Sequence, residues 1–268
     1  MSLYKDRVDL LPLVFRTSSA TLSMDFLTEV AKNNVPGHSL IHKFGRNPDI
    51  DTAAGFEVLW NGGGPYTGFD PTGAEVLSLV SSDANDTLAG TGAITVELFG
   101  LLADYTEDSE VVILDGVTPV DTIKTFIRMN RMIVRTAGSG GSNVGELTCI
   151  QKTAGHVMAV MPVGYNQTMI SAYTIPIDKD AWFLTWFAGL AGKTQAVCNV
   201  RLVARPFGET FQVKEEMSVG GAGTSGSLRP YAAPKQRMAA KTDIFIEADT
   251  SLNDSAVAGG FDLLLVDD

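Results

Sequence analysis

Residues 94–116 read ITVELFGLLADYTEDSEVVILDG, and this stretch decides the fold class. Ile94, Val96 and Leu98 recur at a spacing of two, the period of a strand with one buried face. An acidic, polar break follows, then a second apolar run, and Leu114-Asp115-Gly116 closes it with a hairpin signal. Outward from here the same grammar repeats: runs of 5 to 10 residues rich in Val, Ile, Thr and aromatics between clusters of Gly, Asp, Asn and Ser. Strands are expected at 56–60, 75–81, 92–99, 109–114, 121–135, 145–151, 156–161, 167–175, 181–188, 194–205, 209–219, 241–248 and 259–266. Phe245 alternates with Ile244 and Ile246, and Val197 precedes Leu202 and Val203 in a further apolar run. No helical pattern longer than about 10 residues is sustained after Gly55.

A series of short strands with regular turn signals predicts an all-β body, expected as an antiparallel β-sandwich or jelly roll, either one large sandwich or two small ones. The body is expected over 55–268. A sub-boundary falls near 136–143 (TAGSGGSN), and a second glycine-rich loop interrupts 220–227 (GGAGTSGS).

Residues 1–54 lack a sustained period of either kind. Met24–Lys32 has room for two turns of helix behind Ser23 as N-cap, ending at Asn33, Asn34 and Pro36-Gly37. So short a helix is marginal without something to pack on. The segment is therefore expected to be an extended N-terminal arm that buries its apolar groups on a partner. Its candidate partner-binding residues are Leu10, Leu11, Leu13, Phe15, Phe26, Leu27, Ile41, His42, Phe44 and Arg46.

Composition narrows the function classes. The 268 residues carry 20 Lys+Arg against 31 Asp+Glu, a net charge of -11, with 45% apolar residues. The apolar content excludes disorder for most of the chain, and an acidic surface without a Lys/Arg run repels nucleic acid. No apolar stretch reaches the roughly 18 to 20 residues of a membrane span, and Met1–Arg7 has no signal-peptide character, so a soluble cytosolic product is expected with no membrane partner. Cys149 and Cys198 each sit in an apolar strand, where a free thiol behaves as a small hydrophobe rather than half of a disulfide.

Several motifs invite chemistry and fail on inspection. His38 and His42 are four apart, but Ser39 stands where a zinc metalloprotease helix needs Glu, and Pro36-Gly37 argues against a helix there; His156 is the third histidine. Asn47-Pro48-Asp49-Ile50-Asp51 alternates oxygen donors, yet Thr52 and Val58 occupy the positions where an EF-hand needs Gly and Glu. Asp104, Glu107, Asp108 and Glu110 read as a solvated turn. The glycines of Asn61–Gly68 have no helix behind them to cradle phosphate, because Pro65 and Pro71 forbid it, and read as a turn packed by Trp60, Tyr66 and Phe69. Trp182, Phe183, Trp186 and Phe187 are apolar on both faces, as in a strand buried between two sheets. Catalytic residues, metal and cofactors are each expected to be none.

The segments HKFGRNPDIDTAAGFEVLWNGGGPYTG (42–68), VELFGLLADYTEDSEVVILDG (96–116), VRLVARPFGETFQVKEE (200–216) and GFDLLLVDD (260–268) resemble a family of virion structural proteins from tailed bacteriophages, the short-tailed ones above all. The resemblance implies a capsid-associated or minor head protein, a decoration, cement or vertex component located in the virion and assembled in the host cytoplasm. Its implied partners are the major capsid protein or other virion proteins, and other copies of itself in a homo-oligomer. A tail module that binds host glycans, and a depolymerase on a jelly-roll scaffold, are the alternatives.

Overall fold

The computed structural model describes residues 26–191, 195–220, 226–230 and 236–268, with the backbone alone for 191 and 226–230. Residues up to Leu40 form one unit and Ile41–Asp268 another. In the first, α1 (Phe26–Ala31) ends where the sequence says it should: Asn33 takes the left-handed conformation at φ 60, and the Asn34 amide bonds the Glu29 carbonyl at 2.9 Å. That is a helix stop of the Schellman type, with Asn in the place usually taken by Gly. The expected Ser23 cap lies outside the described residues.

The second unit is built from strands. In chain order they are β1 (His38–Ile50), β2 (Glu57–Val58), β3 (Glu75–Ser81), β4 (Ala93–Leu101), β5 (Glu107–Ile113), β6 (Val120–Phe126), β7 (Arg128–Ala137), β8 (Leu147–Gln151), β9 (Val157–Met161), β10 (Ala172–Thr174), β11 (Lys179–Ala191), β12 (Val197–Arg205), β13 (Gln212–Gly220), β14 (Gly226–Pro230), β15 (Arg237–Met238), β16 (Asp243–Thr250) and β17 (Ser255–Asp267). They make four sheets: β1-β17-β11-β14 with β15 on β11; β10-β16-β12-β13 with β2 on β16; β6-β3-β8-β9; and β5-β4-β7. Every strand pair whose register is described is antiparallel.

The all-β expectation holds, and the sandwich or jelly roll does not. Four small antiparallel sheets stand in a propeller-like ring of four blades. Each blade meets the next through a different contact. The first and second share a core that includes Phe183, Trp186, Val200, Ile246 and Phe261. The second and third meet through Trp60, Tyr66, Phe69, Val160, Val203 and Phe245. The third and fourth share Leu77, Leu98, Phe126, Met132 and Cys149. The fourth returns to the first through polar groups: the buried Lys43 Nζ of β1 donates to the Asn130 carbonyl of β7, and Arg131 Nη2 donates to the His42 carbonyl at 2.8 Å.

The chain path explains why the glycine-rich 136–143 is no boundary. Strands β3 to β9 supply the third and fourth sheets without interruption, nested between the β1–β2 and β10–β17 parts of the first two. The loop after β7 is pinned to the loop before β4, with Gly138 N on Gly92 O at 2.7 Å and Gly140 N on Thr91 O at 2.8 Å. Asp86, fully buried, gathers both: it accepts from Ser81 Oγ, Ala93 N, Val144 N and Gly145 N at 2.6 to 3.0 Å. The Leu114-Asp115-Gly116 turn, with Gly116 at φ 58, leads from β5 in the fourth sheet to β6 in the third instead of closing a hairpin within one sheet.

At the centre β7 acts as a spoke. Arg128 Nε reaches Asp243 Oδ1 of β16 at 3.0 Å, Arg205 Nε of β12 reaches Asp243 Oδ2 at 3.0 Å, and Thr174 Oγ1 of β10 donates to Oδ1 at 2.6 Å. The Arg128 and Asp243 side chains are 5% and 4% exposed, so removing one partner strands a charge out of water. Such a break costs about 3–5 kcal/mol. Asp243→Ala should therefore lower unfolding stability by about that amount in urea titrations, and Asp243→Leu combined with Arg128→Met and Arg205→Met should recover much of it. A loss from Asp243→Ala below about 1 kcal/mol would show that the pair is not desolvated.

Lys43 makes a pH prediction. Burial penalises its ammonium form and the nearby Arg131 adds like-charge repulsion, so its pKa lies well below the ordinary lysine value. A base whose folded pKa is depressed contributes stability that is present above the unfolded pKa and lost as pH falls toward the folded one. The native protein should gain stability relative to Lys43→Met as pH rises toward the ordinary lysine value of about 10, while the profile of Lys43→Met should be flatter over that approach. Parallel denaturant midpoints for the two proteins would refute the assignment.

Candidate functional site

The residues expected to bind a partner fall into three groups. Leu10, Leu11, Leu13 and Phe15 lie outside the described residues. Phe26 and Leu27 belong to α1, where Phe26 is 42% exposed and meets the His38 ring edge-on at 5.7 Å. Ile41, His42, Phe44 and Arg46 are not arm residues: they sit in β1, which is hydrogen-bonded to β17 at the edge of the first sheet. The expected arm of 1–54 thus gives up its last part to the body.

The alternation along β1 runs against the usual sense. Lys43, Gly45 and Asn47 point inward and are buried, while His42, Phe44 and Arg46 point outward. Inward polarity is satisfied locally: Lys43 by Asn130, and Asn47 Nδ2 by Glu57 Oε2 at 3.0 Å, a carboxylate oxygen that also accepts from Gly64 N at 2.8 Å. Gly45 is obligatory, since a Cβ there would stand 1.9 Å from the Leu59 carbonyl oxygen and 2.4 Å from Ser171 N. Two main chains pass too closely for a side chain between them.

On the outer face, His42, Phe44 and Gly45 of β1, Phe187 of β11, Ala258 and Gly259 of β17 and Met169 line a shallow apolar depression of about 340 Å³. Glycines hollow it. A Cβ on Gly260 would fall 2.3 Å from the Lys43 carbonyl oxygen and 2.5 Å from the Phe187 ring, and one on Gly259 would fall 2.9 Å from the Phe187 carbonyl oxygen. His42 lies almost parallel to Phe187 with centroids 6.0 Å apart and 5.4 Å from Phe44. Asp262 fixes the rim: it accepts from Thr185 Oγ1 at 2.6 Å, and its other oxygen is 2.6 Å from His42 Nδ1. The depression offers apolar surface with one polar edge, the His42–Asp262 pair, and its lining holds no Ser, Thr, Cys or Lys to act as nucleophile.

Phe187 and the glycines of β17 are the members that sequence reasoning missed. The aromatic run 182–187 reads as buried on both faces, but β11 buries Ala181, Phe183, Trp186 and Ala188 and leaves Trp182, Thr185 and Phe187 half-exposed. A register shift between Phe183 and Thr185 changes which parity faces inward, so the run of apolar residues masks two half-buried faces joined by a bulge. Trp186 turns its indole inward and donates to Glu215 Oε2 at 2.8 Å.

The other motifs find structural employment. His38 and His42 lie four apart on a strand, about 13 Å of rise, and cannot share a metal. In the acidic turn, Asp104 caps Thr106, Glu110 accepts from the Ile123 and Lys124 amides, Asp108 pairs with Lys124 and Glu107 accepts from Tyr173. Around 60–69, Gly63 and Gly64 take positive φ and Trp60, Tyr66 and Phe69 stack edge to face at 5.2 and 5.1 Å, the packed turn that was expected. Asp49 and Asp51 are joined by Asp254, their carboxylate oxygens within 4.8 Å of one another, but all three are exposed and Asp51 already accepts from the Asp254 amide. Cys149 and Cys198 are free and buried in different cores; burial pushes the Cys149 thiol up to about 12, which keeps it unreactive.

No protein-family model matches the chain, and no curated protein does. The solved structures to which it is similar include VP2 of infectious bursal disease virus in a subviral particle, at 11% identity over 96% of this chain and 77% of that one with a TM-score of 0.24. They also include the Gx strain of the same virus, at 11% identity over 86% and 72% with a TM-score of 0.25. At TM-scores of this size the likeness carries no argument about fold or function.

Proposed function

We propose that the protein is a structural component of a virion, working through contacts with other virion proteins and with copies of itself, and without a catalytic role. The observation that carries this reading is the solvent-facing apolar depression at His42, Phe44 and Phe187. Its shape is written into the backbone by three glycines, and its chemistry suits protein contact. Net charge -11 turns the partner away from nucleic acid and toward protein. The resemblance of segments 42–68, 96–116, 200–216 and 260–268 to short-tailed bacteriophage proteins supports the finer reading of a capsid-associated decoration, cement or vertex component.

The glycan-binding alternative has one observation of its own. The connection between β12 and β13 presents Phe207 and Phe211, 61% and 43% exposed, with Lys241 Nζ 4.9 Å from the Phe207 centroid and Arg205 4.3 Å from that of Phe211. Exposed rings beside cations are surfaces on which an anionic sugar stacks.

Burying one Phe side chain is worth about 1.5–3 kcal/mol, and about 1.4 kcal/mol is a factor of ten. Phe44→Asp with Phe187→Ser in the full chain should reduce incorporation into purified particles by about tenfold or more, read by quantitative blotting of sedimented virions. Phe207→Ala should leave incorporation unchanged. The reverse result, with Phe207→Ala abolishing binding to host glycans and the double variant incorporated normally, would overturn the proposal in favour of the alternative. An informative truncation stops before His38, because removing residues 1–54 takes β1 out of the first sheet.

A further inference from the structure

We infer that the depression on the outer face of the first sheet receives residues Leu10–Phe15 from a second copy of the chain. This deepens the assembly reading above by naming the segment and the surface that meet.

The receiving side has three relevant properties. It is apolar over Phe44, Met169, Phe187 and Ala258, and Gly45 and Gly259 line it with backbone alone. It opens across the outer faces of β1, β17 and β11, so an extended segment laid over it sets alternate side chains into the recess. Its polar edge is already committed: Asp262 is engaged by Thr185 and His42, and the His42 carbonyl by Arg131. An arriving segment therefore needs apolar side chains and no charge.

The donating side matches. Leu10-Leu11-Pro12-Leu13-Val14-Phe15 is uncharged throughout and bracketed by Asp9 and Arg16, which mark the ends of what can be desolvated. Pro12 biases Leu11 toward an extended conformation. From Phe15 to Phe26 the chain spans up to about 35–40 Å when extended, enough to cross to an adjacent subunit.

Charge favours a second copy as the source. Copies of a protein with net charge -11 repel one another, so the contact that joins them is best made by an uncharged segment entering an uncharged recess.

The test uses the full chain in two forms that each carry one added cysteine, Leu13→Cys and Ala258→Cys; the native thiols are buried. Each variant is first confirmed to melt as the parent does. Mixed and mildly oxidised, they should give a disulfide-linked heterodimer that neither form gives alone. Adding Phe187→Asp to the Ala258→Cys chain should reduce its yield at least tenfold. No mixed disulfide would overturn the inference. So would an intramolecular link in a chain carrying both cysteines, which would place the segment on its own body. Transfer of the Ala258→Cys link to a capsid protein when particles are added would assign the recess to a different occupant. The outcome is separable from the virion reading, because absence of the protein from purified particles would sink that reading and leave the crosslink standing.

Discussion

The arrangement of the four sheets depends on one buried carboxylate. Asp243, at the start of β16 in the second sheet, takes Arg205 from its neighbour β12 and Arg128 from β7 in the fourth sheet, while Thr174 of β10 holds the same oxygen as Arg128. Two guanidiniums on one carboxylate leave an excess positive charge that a dry interior tolerates only with further acceptors. Carbonyl oxygens supply them: Pro71 and Ile127 for Arg128, and Phe69 for Arg205. The Pro71 and Phe69 carbonyls come from the connection that leads from β2 into β3, so the network locks the passage between sheets as well as the sheets themselves. Its geometry is directional, which an apolar core alone is not, and it specifies which blade faces which.

The same logic places the candidate site. Ring closure between the fourth and first sheets is polar, and its amine comes from Lys43 on the inward face of β1. Because strand side chains alternate, committing Lys43, Gly45 and Asn47 to the interior throws His42, Phe44 and Arg46 outward. The exposed apolar patch is thus a consequence of a polar interior. Gly260 completes the effect, since its missing side chain admits both the Lys43 carbonyl and the Phe187 ring that stacks beside His42.

Strand positions were largely legible because most strands bury apolar residues on at least one face. Residues 75–81 coincide with β3, and 156–161, 181–188, 209–219 and 241–248 fall on β9, β11, β13 and β16 with shifts of a few residues at the ends. Expected strand 121–135 is really two, β6 and β7, because the chain passes from the third sheet to the fourth at Ile127 with no Gly or Pro to mark the passage. β1 was illegible for the opposite reason: until Ile50 at its end its buried residues are Lys43, Gly45 and Asn47, so a hydrophobic pattern assigns it to an arm. The grouping of strands into sheets could not be read locally at all. It rests on contacts such as Arg128 with Asp243, 115 residues apart, and nothing in either strand's own sequence names the other.

The site illustrates where such reading stops. His42 and Phe44, expected as partner-binding residues of an arm, lie in the structure on β1 and face solvent beside Phe187. What that expectation cannot decide is which side of an interface a residue stands on. An arm residue seeks a recess, whereas a strand residue over a glycine forms one, and both look alike in sequence as an aromatic among polar neighbours. The distinction is made by Gly45, Gly259 and Gly260. Two of them follow Ala258 at the start of the segment that ends GFDLLLVDD, and each is required because a backbone or a ring passes within 3 Å of where its Cβ would be. The glycines bring strands and rings together, and those close approaches assemble the apolar surface that a partner's side chains can cover.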